Sequence, residues 1–310
     1  MHASPHALDF DWRFERATVD SVCGALARSG RILALGAPTI AQCLERLGCD
    51  VTLVDRQPGQ SLSKHVVADI DLLVDPMTGF DAAIVDPPWY LGHLQHWTAY
   101  AASCVGVGGT VLTSAWPAWT RPGAEEELNS AIALMSEWAK IRRLPIDPLY
   151  EMPRFERLAI EAACPGPLSF SPRTGILLEL SVTRSPPALV PMERPEIWQR
   201  FVVDDYQLAL RLSEPHTAFP RVLPHPEAAG WRWPFVSARA PGRSKIDLWS
   251  SDGEVARVHS PAAVASLLRR ALSSGGPKDF EDAIKPLPDL LSWSIPRPPY
   301  RRLIEWQHRQ

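Results

Sequence analysis

Short apolar runs separated by helix-length spacers leave this chain few folds to choose from. Arg31-Ile32-Leu33-Ala34-Leu35-Gly36 reads as a strand that stops at a glycine, and Thr39 to Gly48 follows as a helix with Ile40, Cys43, Leu44 and Leu47 on one face. Asp50 to Asp55 reads as the second strand, His65 to Asp69 as a short third and Phe80 to Val85 as the fourth. A helix from Leu91 to Cys104 leads to a fifth strand, Gly109 to Ser114. Ala124 to Lys140 then reads as a helix with Leu128, Ile132, Met135 and Trp138 on its apolar side. Strands interspersed with helices in this order predict an α/β fold, a doubly wound and mostly parallel sheet. Arg154 to Cys164 and Gly175 to Thr183, joined by the loop Pro165 to Thr174, predict an antiparallel hairpin that closes it.

Pro186-Pro187 and Pro191 mark a boundary, because clustered prolines make semi-rigid connectors. The expected organisation is an N-terminal helical lead over 1–29, the α/β domain over 30–185, and a smaller C-terminal α+β unit over 192–310 for substrate recognition. In that unit Lys245 to Trp249 and Glu254 to Val258 flank an Asp252-Gly253 turn and predict a hairpin, with a helix from Ala262 to Leu272. The chain of 310 residues shows no apolar run of bilayer length. Its start, Met1-His2-Ala3-Ser4-Pro5-His6, lacks the basic-then-apolar pattern of a secretion signal, so a cytoplasmic protein without membrane contact is expected. The five cysteines (Cys23, Cys43, Cys49, Cys104 and Cys164) have no C-x-x-C spacing and read as buried apolar residues, not as a disulfide framework or zinc site. A net charge of −3 gives no general attraction to nucleic acid.

In an open α/β sheet, ligands bind beyond the carboxyl ends of the strands, where the strand order reverses. Gly36, Asp55, Asp69 and Asp86 are expected on that rim. Gly36 permits a tight turn into a helix N-terminus, Asp55 is placed to accept hydrogen bonds from two ribose hydroxyls, and Asp69 to meet an adenine ring or its amine. Asp86-Pro87-Pro88-Trp89 then combines a carboxylate, a stiff turn with free carbonyls and an aromatic face. His93 and His96, spaced to share a helix face, read as surface or rim histidines, and no metal is expected. Asp11-Trp12-Arg13-Phe14 reads as an aromatic staple packing on the sheet, with capping of the target pocket as the second reading. His216, His225 and Trp231-Arg232-Trp233 read as packing residues before recognition residues.

With these residues, 30 to 184 resembles the S-adenosylmethionine-dependent amino-methyltransferases, whose [DNS]-P-P-[YFW] motif follows the fourth strand; Asp86-Pro87-Pro88-Trp89 matches it outright. The resemblance implies a Rossmann-like domain, S-adenosylmethionine as cofactor held by Gly36, Asp55 and Asp69, and methyl transfer to a planar amino nitrogen. It implies Asp86, Pro87 and Trp89 as catalytic residues, with Pro88 and Tyr90 binding substrate. An exocyclic base amine in DNA or RNA is the leading substrate, with a protein amide or small amine behind it. Accepting both N–H hydrogens on the Asp86 carboxylate and the Pro87 carbonyl would localise the nitrogen lone pair for in-line attack. The chain departs from the family at the cofactor turn, where Ala34-Leu35-Gly36-Ala37-Pro38-Thr39 has one glycine in place of acidic-x-Gly-x-Gly; Pro38 then suits the first helical turn. Aminopropyl transfer from decarboxylated S-adenosylmethionine to a polyamine is the alternative enzyme reading. An inactive methyltransferase-fold scaffold and a binding module over 192–310 are the non-enzymatic ones.

Overall fold

A computed structural model of the chain describes residues 12–56, 61–151, 173–192, 197–203, 206–212, 220–224, 243–250 and 254–273. In chain order these form β1 (Arg13–Phe14), α1 (Arg16–Leu26), β2 (Arg31–Leu35), α2 (Pro38–Arg46), β3 (Asp50–Asp55) and β4 (His65–Val67). There follow a 3-10 turn at Ile70–Leu72, β5 (Ala82–Val85), α3 (Leu91–Val105), β6 (Thr110–Ala115), α4 (Ala124–Met135), β7 (Ala139–Arg143), β8 (Tyr150–Glu151) and β9 (Ile176–Val182). The central sheet has seven strands in the order β4-β3-β2-β5-β6-β9-β7. Pairing is parallel from β4 through β6, and β9 runs antiparallel to both β6 and β7. The fold is Rossmann-like, and its order reverses between β2 and β5.

Both faces of the sheet are covered, which explains why its central strands are apolar runs. Ile32 and Ala34 of β2 and Ala82 and Ile84 of β5 pack with Val22, Leu26, Ile40 and Leu44 from α1 and α2. The alternate residues, Leu33, Leu35, Ala83 and Val85, pack on the other face with Leu94, Tyr100, Leu128 and Met135 from α3 and α4. Truncating one of these, Leu33 for example, costs about 2–5 kcal/mol by leaving a cavity in a close-packed layer. The sheet ends in a three-residue strand on one side and in a strand carrying Lys140, Arg142 and Arg143 on the other, both of which discourage edge pairing.

Three sequence expectations change. The helix expected over Ala124 to Lys140 stops at Met135, and Ala139–Arg143 is the strand β7. Trp138, counted on the helix face, is buried in the turn between them, and its carbonyl accepts hydrogen bonds from Thr183 and Arg184 N–H beyond β9. The antiparallel partner of β9 on the outer edge is thus β7; the strand expected at Arg154 to Cys164 lies outside the described residues. A short antiparallel ribbon, β1 with β8, was not expected: Arg13 pairs with Glu151 and Phe14 with Tyr150.

A second sheet is formed by β10 (Ile197–Val203), β11 (Tyr206–Leu212), β12 (Arg221–Pro224), β13 (Leu248–Ser250) and β14 (Val255–His259), all antiparallel, in the order β10-β11-β13-β14-β12. Helix α5 (Pro261–Ser273) packs on it through Val264, Ala265 and Leu268, giving a core of its own. This is the expected α+β arrangement, and β13 and β14 are the expected hairpin, with its turn residues outside the description. His216, His225 and Trp231 to Trp233 also lie outside it. Among the described residues no helix is long and apolar enough to cross a membrane.

Candidate active site

The two strands that flank the reversal each carry one residue past their end in register. Gly36 N–H donates to the Val54 carbonyl at 3.0 Å and Asp86 N–H to the Leu35 carbonyl at 3.0 Å, so the rim residues sit side by side above β2 and β5. Gly36 has φ +64, a left-handed conformation favouring glycine. A methyl group there would also stand 2.7 Å from Trp97 Cζ3 and 3.2 Å from the Asp86 carbonyl oxygen. Pro38 then opens α2 at its first position, where its missing N–H costs nothing.

A single cleft, enclosing about 680 Å³ of empty space with its open mouth included, is lined by Gly36, Asp55, Asp69, Asp86, Pro87, Pro88 and Trp89. Seven of the eight residues expected from the sequence therefore share one cavity. Tyr90 is the exception: it is buried, precedes α3, and packs its ring 5.7 Å from that of His93, outside the cleft lining. It follows a turn closed by its own N–H on the Pro88 carbonyl at 2.7 Å, which leads it away from the rim.

Asp86 is the chemical centre of this cleft. Its Oδ1 accepts from Ser114 Oγ at 2.5 Å and from the Tyr150 hydroxyl at 2.6 Å, and those two oxygens lie 3.0 Å apart. With one proton each, both hydroxyls satisfy Oδ1. Among the described residues neither Oδ2 nor the Pro87 carbonyl is hydrogen-bonded, leaving two acceptors on adjacent residues at the cleft wall. Burial is the strongest influence on the carboxyl and pushes it up to about 6. The Ser114 and Tyr150 hydrogen bonds, and the charges of Arg173 and Arg13, pull the other way. The Tyr150 hydroxyl is raised well above its ordinary value by burial and by the Asp86 charge, so it stays a donor.

Tyr150 is carried by β8 and reaches the rim because the ribbon holds it there. Glu15 N–H donates to Leu149 O at 2.8 Å, Leu149 N–H to Thr18 Oγ1 at 2.9 Å, and Tyr150 N–H to Arg173 O at 3.3 Å. The ring packs against Phe14 at 4.6 Å and meets Trp89 edge-on at 5.8 Å. Trp12, at the head of this ribbon, also lines the cleft, and the Arg173 guanidinium lies over both indoles, 3.8 Å from the Trp12 centroid and 4.9 Å from that of Trp89. Trp12 and Phe14 both pack in the core beneath this ribbon, as the staple reading has it, and Trp12 in addition lines the cleft.

The opposite wall is acidic. Asp55 ends β3, and Asp69 caps the 3-10 turn, Oδ1 accepting from Asp71 N–H at 3.3 Å. Asp71, which carries no sequence signal, is buried there. Its Oδ1 accepts from Trp97 Nε1 at 2.6 Å and its Oδ2 lies 3.3 Å from His93 Nε2. His93 and His96 are therefore not surface histidines: both are buried, and His96 Nε2 is 3.1 Å from the Ile70 carbonyl. Among the described residues no group of His, Cys, Asp and Glu is arranged to hold a metal ion.

No protein-family model matches the chain, and no curated protein matches it in sequence. Solved structures do match. The 16S rRNA N2 methyltransferase RsmC of T. thermophilus, in complex with AdoMet and guanosine, is 13% identical with a TM-score of 0.34, over 64% of this chain and 47% of that one. The S-adenosylmethionine-dependent methyltransferase SibL is 15% identical with a TM-score of 0.35, over 55% of each chain. The geranyl diphosphate C-methyltransferase of Streptomyces coelicolor is 13% identical with a TM-score of 0.36, over 54% of this chain and 79% of that one. The chain spans about half the length of the first two.

Proposed function

We propose that the chain is an S-adenosylmethionine-dependent methyltransferase acting on a planar amino nitrogen, with an exocyclic base amine in DNA or RNA as substrate. The observation that carries this reading is the pair of acceptors without partners among the described residues, Asp86 Oδ2 and the Pro87 carbonyl, beside an indole face in the cleft at the switch point.

The residues present fit the cofactor. Gly36 leaves no room for a side chain at the turn, Asp55 offers a carboxylate to ribose hydroxyls, and Asp69 stands on the same wall for an adenine amine. When bound, S-adenosylmethionine supplies an electrophilic methyl group on a sulfonium. Asp86 Oδ2 and Pro87 O accept the two N–H hydrogens of the target amine, drawing its nitrogen out of conjugation so that its lone pair is available. Trp89 lies against the ring and limits its tilt. Ser114 and Tyr150 hold Oδ1, which keeps the carboxyl ionised at neutral pH despite its burial and fixes the direction of Oδ2. The proton released from the amine passes to Asp86 or to water. An aliphatic polyamine would use the acidic wall and could set an ammonium over an indole, but it brings no conjugated nitrogen for the Asp86 and Pro87 acceptors to draw out of plane, so aminopropyl transfer accounts for less of the cleft.

Calorimetric titration with S-adenosylhomocysteine and a methyl-transfer assay, each with wild-type protein and Asp86→Ala, test the reading. Both proteins should bind the cofactor product, and methyl transfer should fall at least about a hundredfold in the variant, which removes the acceptor altogether. Absence of binding by the wild type, or full activity in Asp86→Ala, would overturn it.

A further inference from the structure

The Arg173 guanidinium has a singular setting. Its Cζ lies at contact distance over Trp12, 3.8 Å from the centroid, and 4.9 Å over Trp89, while no carboxylate among the described residues comes within ion-pair distance of it. A flat, delocalised cation thus rests on two indole faces beside Asp86, whose charge reaches it only at longer range. A second, independent feature lies on the same wall: Trp12 is 8% exposed and its indole N–H is buried without a hydrogen-bond acceptor among the described residues. Such an orphaned donor is costly unless something else satisfies it. Both side chains are tied to Tyr150, Trp12 through the β1–β8 ribbon and Arg173 through its own carbonyl, so their approach is built into the backbone.

We propose that the Trp12 and Trp89 indoles flank a slot for a flat ring, that Arg173 occupies it until a base displaces it, and that Trp12 N–H then donates to a ring nitrogen or oxygen of that base. Trp12 and Arg173 are therefore specificity-determining residues for the cleft. A conjugated base covers more of each indole than a guanidinium does and brings an acceptor for Trp12. An aliphatic ammonium replaces one cation by another that is more strongly hydrated and has less contact area, so it does not displace Arg173. The slot selects bases against polyamines and lysine. This inference rests on the cleft being the amine-methylating site, but its test is separable from that of the reaction.

The full-length chain, saturated with S-adenosylhomocysteine so that no adenosine enters the cofactor site, is titrated with adenosine and with spermidine. Arg173→Ala should bind adenosine about tenfold more tightly than wild type, with S-adenosylhomocysteine affinity unchanged within about twofold and spermidine bound by neither. Trp12→Leu in the Arg173→Ala background should lose at least that tenfold. Adenosine affinity that is unchanged, weakened or undetectable in Arg173→Ala overturns the slot, as does spermidine binding that Arg173→Ala strengthens. Should S-adenosylhomocysteine fail to bind the wild type, the methyltransferase reading falls, and the Arg173→Ala comparison without it still decides the slot.

Discussion

Asp86 is held in an uncomfortable state, ionised while buried, that the proposed chemistry would use. Its folded-state value near 6 lies above the ordinary 3.8, so the folded chain binds this proton more tightly than the unfolded one. The cost is absent below about pH 4 and fully present above about pH 6. Asp86→Asn keeps an acceptor for Ser114 and Tyr150 without the buried charge, and should stabilise the protein by on the order of 1 kcal/mol at pH 8 but not at pH 4, as read by urea unfolding. The proposed methyl transfer requires the ionised form, so its rate should fall below an inflection near pH 6. Tyr150→Phe removes a hydrogen bond that lowers the carboxyl and should move the inflection upward; an unmoved inflection would assign the titration to another group. Gly36→Ala should cost about 1–3 kcal/mol in denaturation and weaken S-adenosylhomocysteine binding at least tenfold, since both its φ and the Trp97 contact exclude a methyl group. Asp86 to Trp89 were legible because their chemistry is contiguous. Ser114, Tyr150 and Arg173 were not, because each comes from a different element and has meaning only beside Asp86.

At the scale of elements, the strands were readable wherever both faces are buried, since a continuous apolar run between a turn and an acid admits little else. Edge elements were less so. Ala139–Arg143 offers only Ala139 and Ile141 as an apolar alternation among three exposed basic residues, and Trp138 before it continues the helical spacing of α4, so the sequence pattern extends the helix past its end at Met135. The β1–β8 ribbon has two residues on each side and no sequence signature, yet it delivers Trp12 and Tyr150 to the rim. Its anchor is the buried Thr18 hydroxyl, which accepts from Leu149 N–H. Thr18→Val keeps the shape and leaves that N–H unsatisfied, which should cost about 1–3 kcal/mol in urea unfolding. The same variant should raise KM for the amine substrate more than it weakens S-adenosylhomocysteine binding, because the ribbon faces the slot and not the acidic wall. Equal effects on both would show that it supports the whole cleft.

Across the whole molecule the cleft draws on both chain directions: β2 and β5 supply Gly36 and Asp86, and the ribbon and the turn before β9 supply the aromatic side. The second sheet has its own apolar core. Its place as an accessory unit with a role in substrate choice is part of the proposal. A net charge of −3 fits a protein that selects its target by a base in a slot more than by broad attraction to phosphates. The most direct measurement is transfer of a labelled methyl group from S-adenosylmethionine into DNA, RNA, protein and small-molecule fractions of a host extract, with Asp86→Ala in parallel. The account predicts label on a base amine in the DNA or RNA fraction and none with Asp86→Ala. Label in no fraction, or equal label with the variant, would contradict it.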